Sequence, residues 1–246
     1  TVLGSEIGAA LDVSGKLQTG FGASLILESG VKPDINNVEK IKAAAEPYDY
    51  IVAVGSGTIN DLCKYASFLL GKPYAVFGTA PSMNGYGSAN ASISMHGHKK
   101  TLKAHLPQGI FLDLNVLAAA PKRLIRSGLG DSICRSAAQA DWLLSHLLLD
   151  TFYTELPFEL LNSSGCWVLG SGNDLSFPAP STQHPAPNLE RQLFTSSSAL
   201  IKGDIEVLRL LAYTLVLSGF GMYLAGGSYP ASQGEHMIAH TMEMMY

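Results

Sequence analysis

The chain has 246 residues, 47% apolar and 15% charged, a balance that supports a large core and excludes an intrinsically disordered protein. Its net charge is −4 with no long basic run, which argues against nucleic acid as a partner. The three cysteines, Cys63, Cys134 and Cys166, are odd in number and widely spaced, which excludes a disulfide framework and points to buried thiols in a reducing, cytoplasmic setting.

No segment reads as a signal peptide or a membrane span. The apolar stretch from Leu208 to Leu224 carries Arg209, Ser218 and two glycines, and reads as a buried helix. The first residue is Thr, so the sequence is expected to be a piece of a longer chain, lacking residues at both ends and near the Pro/Ser-rich stretch.

In chain order, Ser24 to Leu27 reads as a strand, and Asn37 to Ala45 as a helix capped by Asn36 or Asn37. Tyr50 to Val54 is a continuous apolar run, the mark of a buried parallel strand. A glycine turn, Gly55-Ser56-Gly57, follows, and a helical pattern runs from Asp61 to Leu70. Pro73 to Gly78 and Gly109 to Asp113 are further strands. Strands alternating with helices predict a doubly wound parallel sheet, with ligands at the carboxyl ends of its strands. Both Gly55 to Asp61 and Thr79 to Ser88 lie at such ends.

From about Leu117 the strands stop. Pro121 to Gly128 reads as a helix ending in glycine, Asp131 to Leu149 as a long helix, and Glu190 to Leu200 and Asp204 to Leu217 as two more. The Pro/Ser-rich segment from Leu175 to Asn188 reads as a long loop. The expected organisation is an α/β domain over 1–117 and a helical domain over 118–246.

A glycine turn between a strand and a helix N-terminus exposes unpaired N–H groups at the positive end of a dipole, which suits a phosphate. The same turn also serves as a plain tight connection. Asp131, after Gly130, fits a helix N-cap, and equally a metal carboxylate where the two halves meet. His236 and His240 are four apart and share a helix face, as two metal ligands or as two ordinary histidines. His96, His98 and His105 lie among Lys99, Lys100 and Lys103, which reads as a solvated basic hairpin. His146 and His184 offer no constellation, Ser82 lies in no nucleophile elbow, and the methionines from Met237 to Met245 read as packing.

Taken in order, several stretches resemble the sn-glycerol-1-phosphate dehydrogenase group of the superfamily of glycerol dehydrogenases, iron-containing alcohol dehydrogenases and 3-dehydroquinate synthases. They are Gly55-Ser56-Gly57-Thr58-Ile59-Asn60-Asp61, Thr79-Ala80-Pro81-Ser82-Met83-Asn84-Gly85-Tyr86-Gly87-Ser88, Ala120-Pro121, Gly128-Leu129-Gly130-Asp131, Asp141-Trp142, and Gly234-Glu235-His236 through His240.

The resemblance implies a dehydroquinate synthase-like fold: an N-terminal Rossmann-like α/β domain and an all-α C-terminal domain, with the active site in the cleft between them. It implies NAD or NADP, its phosphates on the turn from Gly55 through Gly57 to Asp61, its nicotinamide beside Thr79, Ala80, Pro81, Ser82 and Ser88. It implies a divalent metal, usually Zn2+, with Fe2+ and Ni2+ as alternatives, held by Asp131, His236 and a later His beyond Tyr246. In that family His240 contacts substrate and is not a ligand, so it and Asn84 are the candidate catalytic residues.

Such a metal polarises the reacting oxygen while hydride passes to or from the nicotinamide. The implied substrate is a small polyol or triose phosphate, and the implied assembly a homo-oligomer. One position departs from the family: Asn84 stands where Asp is usual, and Asn hydrogen-bonds a hydroxyl but cannot act as a base. Glycerol or another polyol as substrate, and nucleotide binding without turnover, are the competing readings.

Overall fold

The computed structural model describes residues 2–4, 23–95, 97–162 and 188–245. Cys166, His96, His184 and residues 175–187 of the expected loop lie outside the described residues. The side chains of residue 240 and of 243–245 do as well.

Five parallel strands form the main sheet. They are β1 (Val2–Gly4), β2 (Leu25–Leu27), β3 (Ile51–Gly55), β4 (Tyr74–Gly78) and, after a hairpin, β7 (Gly109–Leu112). Their order is β2-β1-β3-β4-β7. Strand β1 is an addition to the sequence reading, too short at three residues to show a pattern. It pairs with β2 on one side and β3 on the other. The order reverses there, so the carboxyl ends of β1 and β3 form the switch point where open parallel sheets take their ligands.

Helices α1 (Ile35–Ala45) and α2 (Gly57–Leu70) connect β2 to β3 and β3 to β4, and pack against each other. The α1 cap is Asp34, whose carboxylate accepts from the Asn37 N–H, so the helix starts earlier than the Asn-based expectation. An Asp three residues ahead of a free N–H satisfies an orphan donor as well as Asn does. Helix α2 stops at Gly71, whose φ of 65° permits the left-handed cap; the Gly71 and Lys72 N–H groups close on the carbonyls of Phe68 and Ser67. The core of this half joins Val38 and Ile41 from α1, Leu62, Cys63 and Ala66 from α2, and Ala53, Tyr74 and Val76 from the sheet.

The basic segment is a hairpin, β5 (Asn90–Met95) with β6 (His98–Lys103), largely exposed on β6 as expected. His105 leaves it. It stacks on Tyr74 and lies edge-to-face with Phe68, and its Nε2 lies 2.7 Å from the Ser67 hydroxyl. Burial lowers its pKa, and the nearby Lys64 adds to the shift.

From Leu114 onward every described element is helical: α3 (Leu114–Ala118), α4 (Lys122–Leu149), α5 (Leu156–Asn162), α6 (Leu189–Thr195), α7 (Ser197–Lys202), α8 (Ile205–Leu224) and α9 (Gly234–Met245). Three expectations are corrected here. Residues 122–149 are one rod, not a helix ended by Gly128 and another begun by Asp131, so Asp131 is mid-helix and caps nothing. Gly128 is there for close packing, as shown below. The expected helix from Glu190 to Leu200 is broken at Ser196, where α6 ends and α7 starts.

Helix α8 is the hub of this half and packs against α3, α4, α5, α6 and α7. Among the described residues it alone is long and apolar enough to cross a membrane; half of that stretch is buried inside the protein. An apolar helix surrounded by others needs no polar face. Leu208, Leu211 and Leu215 join Leu117, Ile125, Leu193 and Leu200 in its core.

Candidate active site

The site grows from two strand ends. Strand β3 ends at Gly55 and Ser56 caps α2 without using its side chain, so the first-turn N–H groups of α2 face the strand-end space. A side chain at Gly55 would collide with Ile59, whose carbons lie 2.6 Å from where a Cβ would stand. Strand β4 ends in parallel, and the Thr79 N–H donates to the Gly55 carbonyl at 3.0 Å. The two candidate cofactor segments are therefore fastened side by side. Met83 adds a bridge, its sulfur lying over the open face of Gly57.

The loop after β4 is gripped by the helical half. A Cβ on Gly128 of α4 would land on the Pro81 carbonyl oxygen. A Cβ on Gly219 of α8 would stand 2.8 Å from the Gly87 Cα and closer still to the Asn84 carbonyl. Gly87 in turn leaves no room against the Val216 carbonyl, at 2.7 Å. Backbone meets backbone at each contact, and only glycine allows such an approach. Within the loop the Tyr86 hydroxyl donates to the Ala80 carbonyl at 2.9 Å, and the Ser82 side chain hydrogen-bonds the same phenol.

This grip delivers the loop to Asp131. The Asn84 N–H donates to Asp131 Oδ2 at 3.0 Å, joining the candidate metal carboxylate on α4 to the candidate substrate residue. The Asn84 side chain is half-buried and is not used in capping the short 3₁₀ turn Gly85–Gly87.

Helix α9 brings His236, half-buried, to the same rod. The Gly234 N–H donates to Asp141 Oδ2 at 3.3 Å, and Cys134, one turn beyond Asp131, feels the charges of both Glu235 and Asp131. Burial and those two carboxylates raise the Cys134 pKa.

The donor set suits a divalent cation. Asp131 and His236 are a carboxylate and an imidazole, and the Asn84 N–H orients the carboxylate from outside. Among the described residues no three His, Cys, Asp or Glu side chains converge. The backbone of His240 lies in α9, one turn from His236.

Other sequence candidates point elsewhere. Asn60 and Asp61 are buried: the Asn60 amide donates to Asp61 Oδ1 at 3.0 Å, and the Ser92 N–H donates to Asp61 Oδ2 at 3.2 Å. Ser88 is buried too, its hydroxyl donating to the carbonyls of Gly85 and Asn90. Asp61 thus fastens β5 and Ser88 the end of the loop, while Gly55, Ser56, Gly57, Thr58 and Thr79 to Ser82 lie at the strand ends.

Sequence reasoning missed Lys64. It is fully buried, and its ammonium reaches the carbonyls of Gly85, Ser88 and Asn90. A lysine in an apolar helix, three residues after an Asp, was the available signal. Burial outweighs the pull of Asp61 and brings the Lys64 pKa down from 10.5 to about 8. Between pH 8 and 10.5 the unfolded chain holds this proton and the folded chain does not, so this group's contribution to stability rises with pH across that window. The urea midpoint of the native protein should therefore rise between pH 8 and pH 10 relative to that of Lys64→Met. A constant difference between the two would refute the assignment.

Residues 4–121 match the family model described as iron-containing alcohol dehydrogenase. The chain is 32% identical over 203 residues to glycerol-1-phosphate dehydrogenase [NAD(P)+] of Halalkalibacterium halodurans, covering 82% of this chain and 45% of the relative. It is 30% identical over 240 residues to the protein of that name from Thermococcus kodakarensis, covering 96% and 61%. The chain thus spans about half the length of the curated relatives it matches.

Among solved structures, glycerol dehydrogenase of Schizosaccharomyces pombe superposes with a TM-score of 0.69 at 19% identity, over 98% of this chain and 58% of that one. A probable glycerol dehydrogenase from Sinorhizobium meliloti gives 0.66 at 18%, over 90% and 58%. The fold is like theirs, and the sequence is similar to the glycerol-1-phosphate dehydrogenases [NAD(P)+] and, over residues 4–121, to the iron-containing alcohol dehydrogenase family.

Proposed function

We propose that this chain carries the NAD(P)-binding part and a share of the metal site of a dehydrogenase that interconverts sn-glycerol 1-phosphate and dihydroxyacetone phosphate. The observation that carries the reading is the hydrogen bond from the Asn84 N–H to Asp131, which ties the loop after β4 to the metal carboxylate. The relatives' names supply the substrate and the cofactor. We also propose the division into an α/β domain over 1–117 and a helical domain over 118–246, with the reaction between them, a cytoplasmic location and a homo-oligomeric assembly.

In this reading the first-turn N–H groups of α2, at Gly57 and Thr58, take the cofactor's phosphates. Thr79 to Ser82 hold its nicotinamide end. Asp131 and His236 would hold the metal, Zn2+ with Fe2+ or Ni2+ as alternatives, which when bound supplies Lewis acidity to the substrate oxygen. Asn84 donates or accepts a hydrogen bond at a substrate hydroxyl and stays uncharged. His240 orients substrate or relays a proton.

The second reading, glycerol or another polyol as substrate, is favoured by Asn84, because an amide replaces the usual carboxylate. A substrate panel decides. With NADH or NADPH and added Zn2+, dihydroxyacetone phosphate should be reduced at least about tenfold more efficiently than dihydroxyacetone, a difference of about 1.4 kcal/mol. The reverse preference would establish the polyol reading. Nicotinamide binding with no turnover on either would establish a binding protein instead.

A further inference from the structure

We propose that Lys64 is a positioning residue: its buried ammonium sets the conformation of residues 85–90, and through them the placement of Asn84 against Asp131. The geometry is specific. Lys64 sits in the second turn of α2 and has no exposure to solvent. Its Nζ donates to the Gly85 carbonyl, to Ser88 O at 2.8 Å and to Asn90 O at 3.1 Å, with Ser88 Oγ at 3.3 Å. An ammonium has three protons, and three carbonyls from one loop use them all.

Asp61, three residues earlier on the same helix face, supplies the opposing charge and takes the Ser92 N–H itself. Two side chains of one helix thus hold four backbone groups between positions 85 and 92. Other ionisable neighbours include His105, whose pKa burial and then Lys64 depress, Lys99, which acts on Asp61, and the buried phenols of Tyr74 and Tyr86, on which Asp61 acts. Buried opposite charges are weak as a source of stability and stronger as a means of choosing one conformation over others. Here the chosen conformation is that of the loop whose other face meets α8 at Gly219 and α4 at Asp131. Helix α2 also opens with the glycine turn, so one helix sets both the phosphate-facing N–H groups and the loop.

The structural part of the inference stands on its own, and its catalytic consequence rests on the dehydrogenase reading above. The test compares Lys64→Met with Lys64→Met/Asp61→Asn, the second variant removing the buried carboxylate that the first leaves unpaired. Hydrogen exchange by mass spectrometry should show amides of residues 84–92 exchanging at least about tenfold faster in both, with β3 and β4 still protected. The double variant should recover thermal stability without recovering loop protection.

In kinetics, Lys64→Met should lower kcat at least about tenfold while the Kd for NADH stays within about twofold, a split that general destabilisation would not give. Unchanged loop exchange in the folded double variant would overturn the proposal, as would faster exchange spread evenly over the sheet. Faster loop exchange in a native protein that turns over no substrate would leave the positioning role in place and remove the dehydrogenase reading.

Discussion

On the proposed dehydrogenase reading, replacing Asp131 by asparagine is expected to abolish metal binding and turnover while leaving the fold intact. The amide oxygen of Asn can still accept the Asn84 N–H that reaches Asp131 Oδ2 at 3.0 Å, so the loop keeps its anchor. The charge that a divalent cation requires is gone. Metal affinity should fall by at least about a hundredfold, a lower bound taken from the loss of groups that merely orient ligands. Turnover should fall by about a thousandfold or more, roughly 4 kcal/mol of transition-state stabilisation. His236→Ala should give the same result from the other helix. Elemental analysis and steady-state kinetics on the same preparations measure both quantities. Metal content and turnover equal to those of the native protein would show that Asp131 is a loop anchor only.

The second large effect is expected at glycines. Gly219→Ala would drive a methyl group into the Asn84 carbonyl and the Gly87 backbone, and Gly128→Ala into the Pro81 carbonyl. A helix gains up to about 1 kcal/mol when Gly becomes Ala. Overpacking against atoms that cannot rotate away costs about 3 kcal/mol, so the loss prevails. For a chain of this size the net loss of about 2 kcal/mol corresponds to a fall in Tm of roughly 4–8 °C.

Gly130 is the internal comparison, because a Cβ there meets nothing within 4 Å. Gly130→Ala should hold or raise Tm. Two glycines of one Gly128-Leu129-Gly130 run should therefore respond with opposite sign in a thermal melt, and equal responses would contradict the packing.

Much of the sheet was legible because its central strands, β3 and β4, are largely buried. Runs such as Tyr50 to Val54 and Pro73 to Gly78 show no alternation and so read as parallel strands. Strand β1 was not legible: three residues carry no period, and its place between β2 and β3 is set by pairing alone. The segment from Gly128 to Asp131 was misread for a physical reason. Glycine followed by Asp has the chemistry of a helix stop and a new cap, and only the Pro81 carbonyl, far off in sequence, explains why the glycine lies inside a continuous helix.

The site was legible in its segments and not in its contacts. Asn84 and Asp131 were both singled out, but the bond between them joins a backbone N–H to a carboxylate, and no side-chain pattern announces that. Asn60, Asp61 and Ser88 belong to recognisable runs, yet their side chains are buried and bonded within the protein. Lys64 was passed over because a charged residue in a helix is ordinarily a surface residue, and its spacing from Asp61 is only a faint signal. Its role appeared only when the loop carbonyls were found around it.

The grip on the loop after β4 has a consequence for how such a site can diversify. Gly128, Gly87 and Gly219 hold the chain by main-chain contact, and the anchor to Asp131 is the Asn84 N–H. None of these depends on which side chain position 84 carries. An amide and a carboxylate can therefore be exchanged there without moving the main chain that presents them, and selectivity can drift on an unchanging frame.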